Sequence, residues 1–390
     1  MQYLLSCFHS ISSIQLNCLY ISLNLANMEV FTLKKENMKI FIGGAIIGIL
    51  GALLVKFGNP GNMGFCIACF WRDISGALGF HRAEVVQYIR PEIIGLIFGA
   101  FISSLAFGDF RSRGGSSPIL RFLMGVFMMI GALIFLGCPL RMILRLANGD
   151  LNALVGLVGF IGGIFVGIQF LKKGYSLGRA SKRSKTEALV VIVFGALLLL
   201  FLVIRPAFVF FSTEGPGSSH APMILSIAAG LIVGFILQRT RICSGAAFRD
   251  LILIKDPHYF YGILGIFLAA LVTNLIANPA GFNLGFEGQP IAHNNHVFNF
   301  LGMFIVGLTA VLLGGCPIRQ TILAAEGDTD AGLTVFGLIV GAAVSHNFKL
   351  AASGEGVPAN GQIATIIIIV LLLIIAFAMT KFAAEERRNR

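Results

Sequence analysis

Long apolar segments alternate with short polar ones along most of this chain. Residues 188–204 contain no polar side chain, and residues 363–379 contain only one, Thr365. An α-helix of about 20 apolar residues is long enough to cross the roughly 30 Å hydrocarbon core of a bilayer. The pattern therefore predicts an all-α polytopic membrane protein.

The apolar segments fall into two length classes. Ten are long enough to be transmembrane helices, at 40–57, 91–108, 119–137, 151–172, 187–204, 221–238, 259–278, 297–314, 331–347 and 360–383. Four others are too short and contain charge, at 65–79, 138–148, 243–254 and 316–326. Broken backbone is tolerated at membrane depth only where it is buried in protein or lines a wet cavity. We expect about ten transmembrane helices plus four short re-entrant helices.

Motifs in the short segments occur twice. Residues 66–73 and 243–250 both read Cys-x5-Arg-Asp, at an offset of 177 residues. Residues 137–141 and 315–319 both read Gly-Cys-Pro-x-Arg, at an offset of 178. Gly-Asp at 149–150 and 327–328 and GxxxG steps at 159–163 and 337–341 continue the match. The shared order and offset predict an internal repeat.

The repeat divides the chain into five parts. We predict an N-terminal extension at 1–37, a first repeat unit at 38–186, a linking transmembrane helix at 187–211, a second repeat unit at 212–350 and a C-terminal transmembrane helix with a basic tail at 351–390. The extension is expected to be disordered or a gene-model artefact. Five crossings precede the second unit, so the repeat is predicted to be inverted. Inverted repeats place transport sites at their shared interface near the bilayer midplane.

Composition and charge agree with a membrane protein and suggest its orientation. Apolar residues make up 56% of the chain and charged residues 12%, whereas soluble domains have about 25% charged residues. The net charge of +11 comes mainly from one predicted face, while the loop 279–297 has no Lys or Arg. Because basic residues collect on the cytoplasmic side, we expect a multi-pass cytoplasmic (inner) membrane protein. Both termini would be cytoplasmic, and its partners would include membrane lipid but no nucleic acid.

The repeated motifs contain the candidate functional cysteines, Cys66, Cys138, Cys243 and Cys316. Each begins a short helix, where unpaired N–H groups and the positive helix end favour anions. A thiol there is a soft donor suited to sulfur or selenium, although buried cysteines also pack as small hydrophobes. Cys69 has no counterpart in the second unit, so packing and a redox Cys66–Cys69 pair both stay open. Cys7 and Cys18 are expected to have no role.

Four arginines follow these cysteines, Arg72, Arg141, Arg249 and Arg319. Arg72 and Arg249 precede an aspartate and are candidates for local ion pairs, since a charge at membrane depth needs a partner or solvent. Arg141 and Arg319 have no adjacent acid, so they are candidates for holding an anion or anchoring at the interface. The single Cys-x2-Cys lacks the further ligands that zinc needs, and we predict no metal or cofactor. His293 and His296 are expected to be solvated loop residues.

The segments GNPGNMGFCIACFWRDISGALGFHRAEVVQYIRPEIIG and FLGCPLRMILRLANGDLNALVG resemble the YeeE/YedE family of membrane proteins, in particular its YedE-related subgroup associated with selenium metabolism. The resemblance covers about residues 38–385. It implies an hourglass-shaped transporter in which free cysteines hand a thiosulfate-like anion along a central path. Carried over by motif, these are Cys66, Cys138 and Cys316, and Cys243 matches the same short-helix motif. A small TusA-like soluble carrier of sulfur or selenium is an implied cytoplasmic partner.

The function expected from these residues is transport rather than catalysis. The substrate would be a small sulfur- or selenium-containing anion moving along a cysteine-lined central path. Cys69, which departs from the simpler family pattern, would mark altered substrate chemistry such as a more reducible selenium species. Two alternatives stay open: a membrane thiol oxidoreductase that uses Cys66 and Cys69, and a membrane docking partner for the TusA-like carrier.

Overall fold

The structure is a computed structural model that describes residues 35–388. The α-helices of this range are α1 (Lys35–Lys56), α2 (Ile67–Ala77), α3 (Pro91–Ala106), α4 (Pro118–Phe135), α5 (Pro139–Leu146), α6 (Asn152–Lys172), α7 (Lys185–Ala188), α8 (Val190–Ile204), α9 (Gly215–Ser218), α10 (Met223–Thr240), α11 (Ser244–Leu253), α12 (His258–Ala277), α13 (His296–Leu313), α14 (Pro317–Ala325), α15 (Thr329–Asn347) and α16 (Ala359–Arg388). Short 3-10 helices lie at Glu84–Val86 and Pro279–Gly281. Strands β1 (Arg113–Gly114) and β2 (Ser181–Lys182) pair antiparallel.

The first helix includes residues that the sequence assigned to the N-terminal extension. The described residues are helical from Lys35 onward, so 35–37 of the predicted extension 1–37 belong to α1. Most of that extension, with Cys7 and Cys18, lies outside the described residues.

Nine segments of the described residues are long and apolar enough to cross a membrane. They confirm the prediction of an all-α, multi-pass membrane protein. The tenth predicted span, 187–204, corresponds to the shorter helix α8 of 15 residues. A single residue, Leu189, separates helix α7 from helix α8. The two together extend over about 20 residues, roughly 30 Å at the rise of an α-helix.

Each predicted short segment contains a separate helix, namely α2, α5, α11 and α14. Their N-cap residues are Cys66, Cys138, Cys243 and Cys316. Three of the long apolar segments consist of a long helix followed by a short one, at Pro118–Leu146, Met223–Leu253 and His296–Ala325. The re-entrant course of these short helices stays a prediction.

The Gly-Cys-Pro tripeptides account for two of the helix breaks. Leu136, which follows the last residue of α4, has a left-handed φ of 62°, and Gly314, which follows the last residue of α13, has a φ of 79°. A proline lacks the N–H that would continue the preceding helix, but its fixed φ suits the first position of a new one. Pro139 and Pro317 occupy that first position in α5 and α14.

Glycines let the long helices approach backbone to backbone. A Cβ at Gly159 or Gly163 of α6 would overlap the carbonyl oxygens of Phe300 and Phe304 in α13. The same contact recurs 178 residues away, where Gly337 of α15 meets the carbonyl oxygen of Phe122 in α4. Helix α6 thus packs on α13 as α15 packs on α4. The repeat itself stays a prediction, and these exchanged contacts support it.

Loops meet at two groups of residues, which define two ends of the molecule. At the Asp150 end, Asp150 bridges to Gly285, and the Asn148 side chain donates to the Asn62 side chain over 2.7 Å. At the Asp328 end, Asp328 bridges to Arg113, and their side chains form an ion pair of 2.8 Å. Asp150 and Asp328 are again 178 residues apart.

The glycine contacts give a direct stability test. Gly163→Ala forces α6 away from α13 and should cost about 1–3 kcal/mol of unfolding free energy, as overpacking does. Gly162→Ala is the matched control, because its Cβ would meet the Phe300 ring at an ordinary 3.6 Å. Thermal unfolding of the detergent-purified protein measures both. An unfolding midpoint for Gly163→Ala at or above that of Gly162→Ala would contradict the packing.

Candidate functional site

The first thiols of the site lie at the start of α2. Cys66 and Cys69 have Sγ atoms 2.8 Å apart, and both side chains are fully buried. The Cys66 Sγ also accepts the backbone N–H of Cys69 over 3.3 Å, which caps the helix. Their i, i+3 spacing on one helix turn explains the proximity, since such residues share a helix face.

Cys138 joins this pair from the start of α5. Its thiol interacts with that of Cys66, although Cys138 is 72 residues further along the chain. The side chain is buried, as are those of its neighbours. Two separate short helices of the first half therefore present their starting thiols to each other.

The second half repeats the arrangement. The Sγ atoms of Cys243 and Cys316 lie 3.4 Å apart, and the N–H of Cys316 points to the Cys243 Sγ over 3.5 Å. Cys316 is close enough to Cys138 for an electrostatic interaction, which connects the two halves. The order of neighbouring thiols is thus Cys69, Cys66, Cys138, Cys316, Cys243.

These five cysteines are the free thiols of the described residues. None has more than 2% of its side chain exposed. The structure therefore brings together all four cysteines predicted from the repeated motifs, and it adds Cys69. Within residues 35–388, no group of three or more His, Cys, Asp or Glu side chains is placed to hold a metal ion.

Arg141 reaches the thiols from α5. Its Nη1 lies 3.6 Å from the Cys69 Sγ, and its Nε donates to the Asn62 carbonyl over 2.8 Å. Its Nη2 donates to the Ile291 carbonyl over 3.2 Å. Nη1 also donates to the Leu136 carbonyl at the end of α4. The guanidinium is fully buried and is held by backbone oxygens rather than by a carboxylate.

The matching residue of the second half has an acid partner. Arg319 Nη1 lies 3.2 Å from Glu326 Oε1, at the end of α14. The two residues are seven positions apart, about two helical turns, so they lie on the same face of the helix. A search for adjacent acids misses this pair. The i, i+7 spacing is the signal that identifies it.

The other two motif arginines form the local ion pairs considered from the sequence. Arg72 lies 2.6 Å from Asp73, and Arg249 lies 2.7 Å from Asp250. Asp73 also pairs with Arg90 over 2.7 Å, a partner that the sequence did not single out. Asp73 and Arg90 are fully buried and Arg72 nearly so. Buried charges of this kind are stable only when paired and hydrogen-bonded.

The expectation for His293 is wrong, because its side chain is buried rather than solvated. Its Nε2 donates to the Ile134 carbonyl over 2.8 Å, and its Nδ1 accepts the N–H of Asn295 over 3.2 Å. It thereby ties the loop 279–295 to the end of α4. Similarly, His81 attaches the segment after α2 to that helix, because it donates to the Arg72 carbonyl over 3.1 Å. His296 is exposed, as expected, but it is the first residue of α13 rather than a loop residue.

The family model described as sulphur transport matches residues 23–166 and 239–389. This is most of the chain, and the two ranges lie on either side of the helix α8. The protein belongs to this family, which is also called YeeE/YedE. The family predicted from the cysteine motifs is confirmed, whereas the selenium-associated subgroup stays a prediction.

Two curated relatives carry the same name. Over 111 residues the chain is 39% identical to the thiosulfate transporter TsuA of Spirochaeta thermophila, which is 27% of this chain and 32% of that protein. Over 126 residues it is 32% identical to the thiosulfate transporter TsuA of Escherichia coli, which is 32% of this chain and 35% of that protein. The matches span about a third of the length of each relative.

The thiol distances predict which cysteines cross-link. Diamide should convert Cys66 with Cys69, and Cys243 with Cys316, into disulfides, because only neighbouring thiols reach the required geometry. Mass spectrometry of non-reduced peptides measures the pairing. Two variants are controls. Cys69→Ala should remove the Cys66–Cys69 disulfide, and Cys243→Ala should remove the Cys243–Cys316 disulfide. Peptides that link Cys69 to Cys243 would contradict the order of thiols.

The buried histidines predict an acid limit to stability. Burial lowers the pKa of His293, and Arg145 lowers it further. In the unfolded chain a histidine has a pKa of about 6.5. As the pH falls, the unfolded chain therefore binds a proton at this histidine at a higher pH than the folded protein does. This contribution to stability should be complete well above the unfolded pKa of about 6.5 and should be lost as the pH falls below it. Thermal unfolding of His293→Gln against wild type checks this, and an identical pH dependence in both would contradict it.

Proposed function

We propose that this protein transports a small sulfur- or selenium-containing anion across the cytoplasmic membrane along its buried thiols. The observation that carries the proposal is the meeting of four helix starts, two from each half, each beginning with a cysteine. The relatives named thiosulfate transporters support a thiosulfate-like substrate.

Thiols suit such a path because they bind weakly. The S–H group is a weak donor and the sulfur a weak acceptor, so a bound anion is held briefly and passed on. Conduction requires binding that is favourable enough for entry yet weak enough for exit. The helix starts add unpaired N–H groups and a partial positive charge, which favour an anion without a permanent trap.

Movement of the substrate requires a conformational change. The five thiols are at most 2% exposed, so neither end of the path is open to solvent. Such a change would rearrange the two predicted inverted units at their shared interface, where α6 packs on α13 and α4 packs on α15. The substrate path would then be exposed to one side at a time.

The distribution of charge supports an orientation and a partner. The Asp328 end contains Arg111, Arg113, Lys182 and Arg183, whereas the loop 279–297 at the Asp150 end has no Lys or Arg. We place the Asp328 end and both termini in the cytoplasm on this basis. This basic end would also attract a TusA-like carrier that receives the imported sulfur or selenium.

A second candidate function rests on the Cys66–Cys69 pair. Their Sγ atoms lie 2.8 Å apart, and the second unit has Ala246 where the first has Cys69. A dithiol at this position suits thiol oxidoreductase chemistry on a reducible selenium or sulfur species. Cys69→Ala separates the two functions, since it removes the dithiol but leaves the four motif cysteines.

Uptake into proteoliposomes tests the transport proposal. Cys138→Ala and Cys316→Ala should each reduce the uptake of labelled thiosulfate by about tenfold, which corresponds to roughly 1.4 kcal/mol lost from the path. Selenite and selenate are compared in the same assay. Cys69→Ala should retain thiosulfate uptake. Loss of thiol-dependent reduction in Cys69→Ala, with no uptake by any variant or by wild type, would instead favour the oxidoreductase.

A further inference from the structure

The two Gly-Cys-Pro-x-Arg motifs are alike in sequence but differ in the charge around their arginines. Arg319 pairs with Glu326 over 3.2 Å. The residue 178 positions before Glu326, at the matching place of the first unit, is Asn148. Its amide donates to the side chain of Asn62 and to the carbonyl of Gly281 rather than to a charged group. The first unit thus keeps the arginine but lacks the acid.

Arg141 consequently has a buried charge without a counter-charge. It forms none of the ion pairs found among the described residues, and its donors go to the carbonyls of Asn62, Leu136 and Ile291. Carbonyl dipoles hold a guanidinium in place but do not neutralise it. Arg145, one turn away on α5, pairs with Asp150 over 2.6 Å, so that acid is already occupied. A buried, uncompensated charge is costly and marks a place where an opposite charge binds.

A cavity lies against Asn62, the residue whose carbonyl oxygen accepts from this arginine. It has a volume of about 80 Å³ and is lined by Asn62, Asn148, Gly61 and Gly64 among others. The Asn62 amide nitrogen is buried and has no hydrogen-bond partner, while the carbonyl of the same residue accepts from Arg141. An unpaired donor next to an uncompensated cation favours an acceptor that is anionic or strongly polar.

We propose that Arg141, with the Asn62 amide and the Cys66–Cys69 thiols, forms a single anion-capture site at the Asp150 end, and that the Arg319 site has lost this ability. This inference rests on the proposed transport function. An oxyanion oxygen would bind Arg141, and the sulfur or selenium end of the same anion would contact Cys69, whose Sγ lies 3.6 Å from the guanidinium. The first unit differs from the second at two relevant positions. It has Cys69 where the second has Ala246, and Asn148 where the second has Glu326. Both changes favour an anion at one end only.

The site has a consequence for the direction of binding. An anion arriving from the Asp150 end meets an uncompensated arginine, whereas one arriving from the Asp328 end meets a neutral Arg319–Glu326 pair. Release towards the Asp328 end is therefore not opposed by a strong binding site. The thiols of Cys138, Cys316 and Cys243 then lie between a strong site and a weak one.

Binding of labelled thiosulfate to the purified full chain tests the site. Arg141→Gln should weaken binding by at least about tenfold, since a buried charged contact is lost. Arg319→Gln is the matched control and should bind as wild type does. Asn148→Glu restores to the first unit the acid of the second and should weaken binding in the same way as Arg141→Gln. Asn148→Gln, which adds length without charge, should weaken binding less than Asn148→Glu does.

The outcomes separate this site from the transport proposal. Equal losses in Arg141→Gln and Arg319→Gln, or wild-type affinity in Asn148→Glu, overturn the single-site inference even when uptake occurs. Binding with the predicted variant pattern but no uptake into proteoliposomes supports the site and contradicts transport. If Arg141→Gln fails to fold, Asn148→Glu keeps the arginine and decides the question. Absence of thiosulfate, sulfite and sulfate binding by the wild-type protein overturns the site.

Discussion

The structure depends on the constraint that a helix which starts inside a membrane protein must find partners for its first N–H groups. Four helices start in this way, and a cysteine precedes each of them. Proline at the first position of α5 and α14 removes one unpaired N–H. The four cysteines at these helix starts are at most 2% exposed, so the starts are buried in protein. Sulfur atoms and helix ends then remain as the weakly satisfied groups in the interior, which is where an anion is best accommodated.

The predicted repeat, with different charges in its two units, would explain how a nearly symmetrical arrangement acts in one direction. The packing of α6 on α13 and of α4 on α15 is nearly the same, and so are the bridges at Asp150 and Asp328. Two of the differences lie close to the thiols. The first unit has Asn148 where the second has Glu326, and Cys69 where the second has Ala246, so the two ends differ in charge and in thiol content.

Much of this arrangement could be predicted from the sequence, because the long apolar segments and the repeated cysteine motifs are local patterns. The short helices begin within two residues of the predicted segments, and all four motif cysteines meet. The partners of charged and polar groups could not be predicted in the same way. Asp73 of α2 pairs with Arg90 at the start of α3, and His293 binds a carbonyl 159 residues away in sequence. Such contacts depend on the tertiary fold, which no local pattern encodes.

The central claim is that the thiols of both halves form one path for a sulfur- or selenium-containing anion. The most direct measurement is the position of selenium in a crystal of the protein soaked with selenosulfate, located by anomalous scattering. The account predicts selenium density next to the row of thiols that includes Cys66, Cys138 and Cys316. Selenium bound elsewhere at full occupancy, with none beside these thiols, would contradict it.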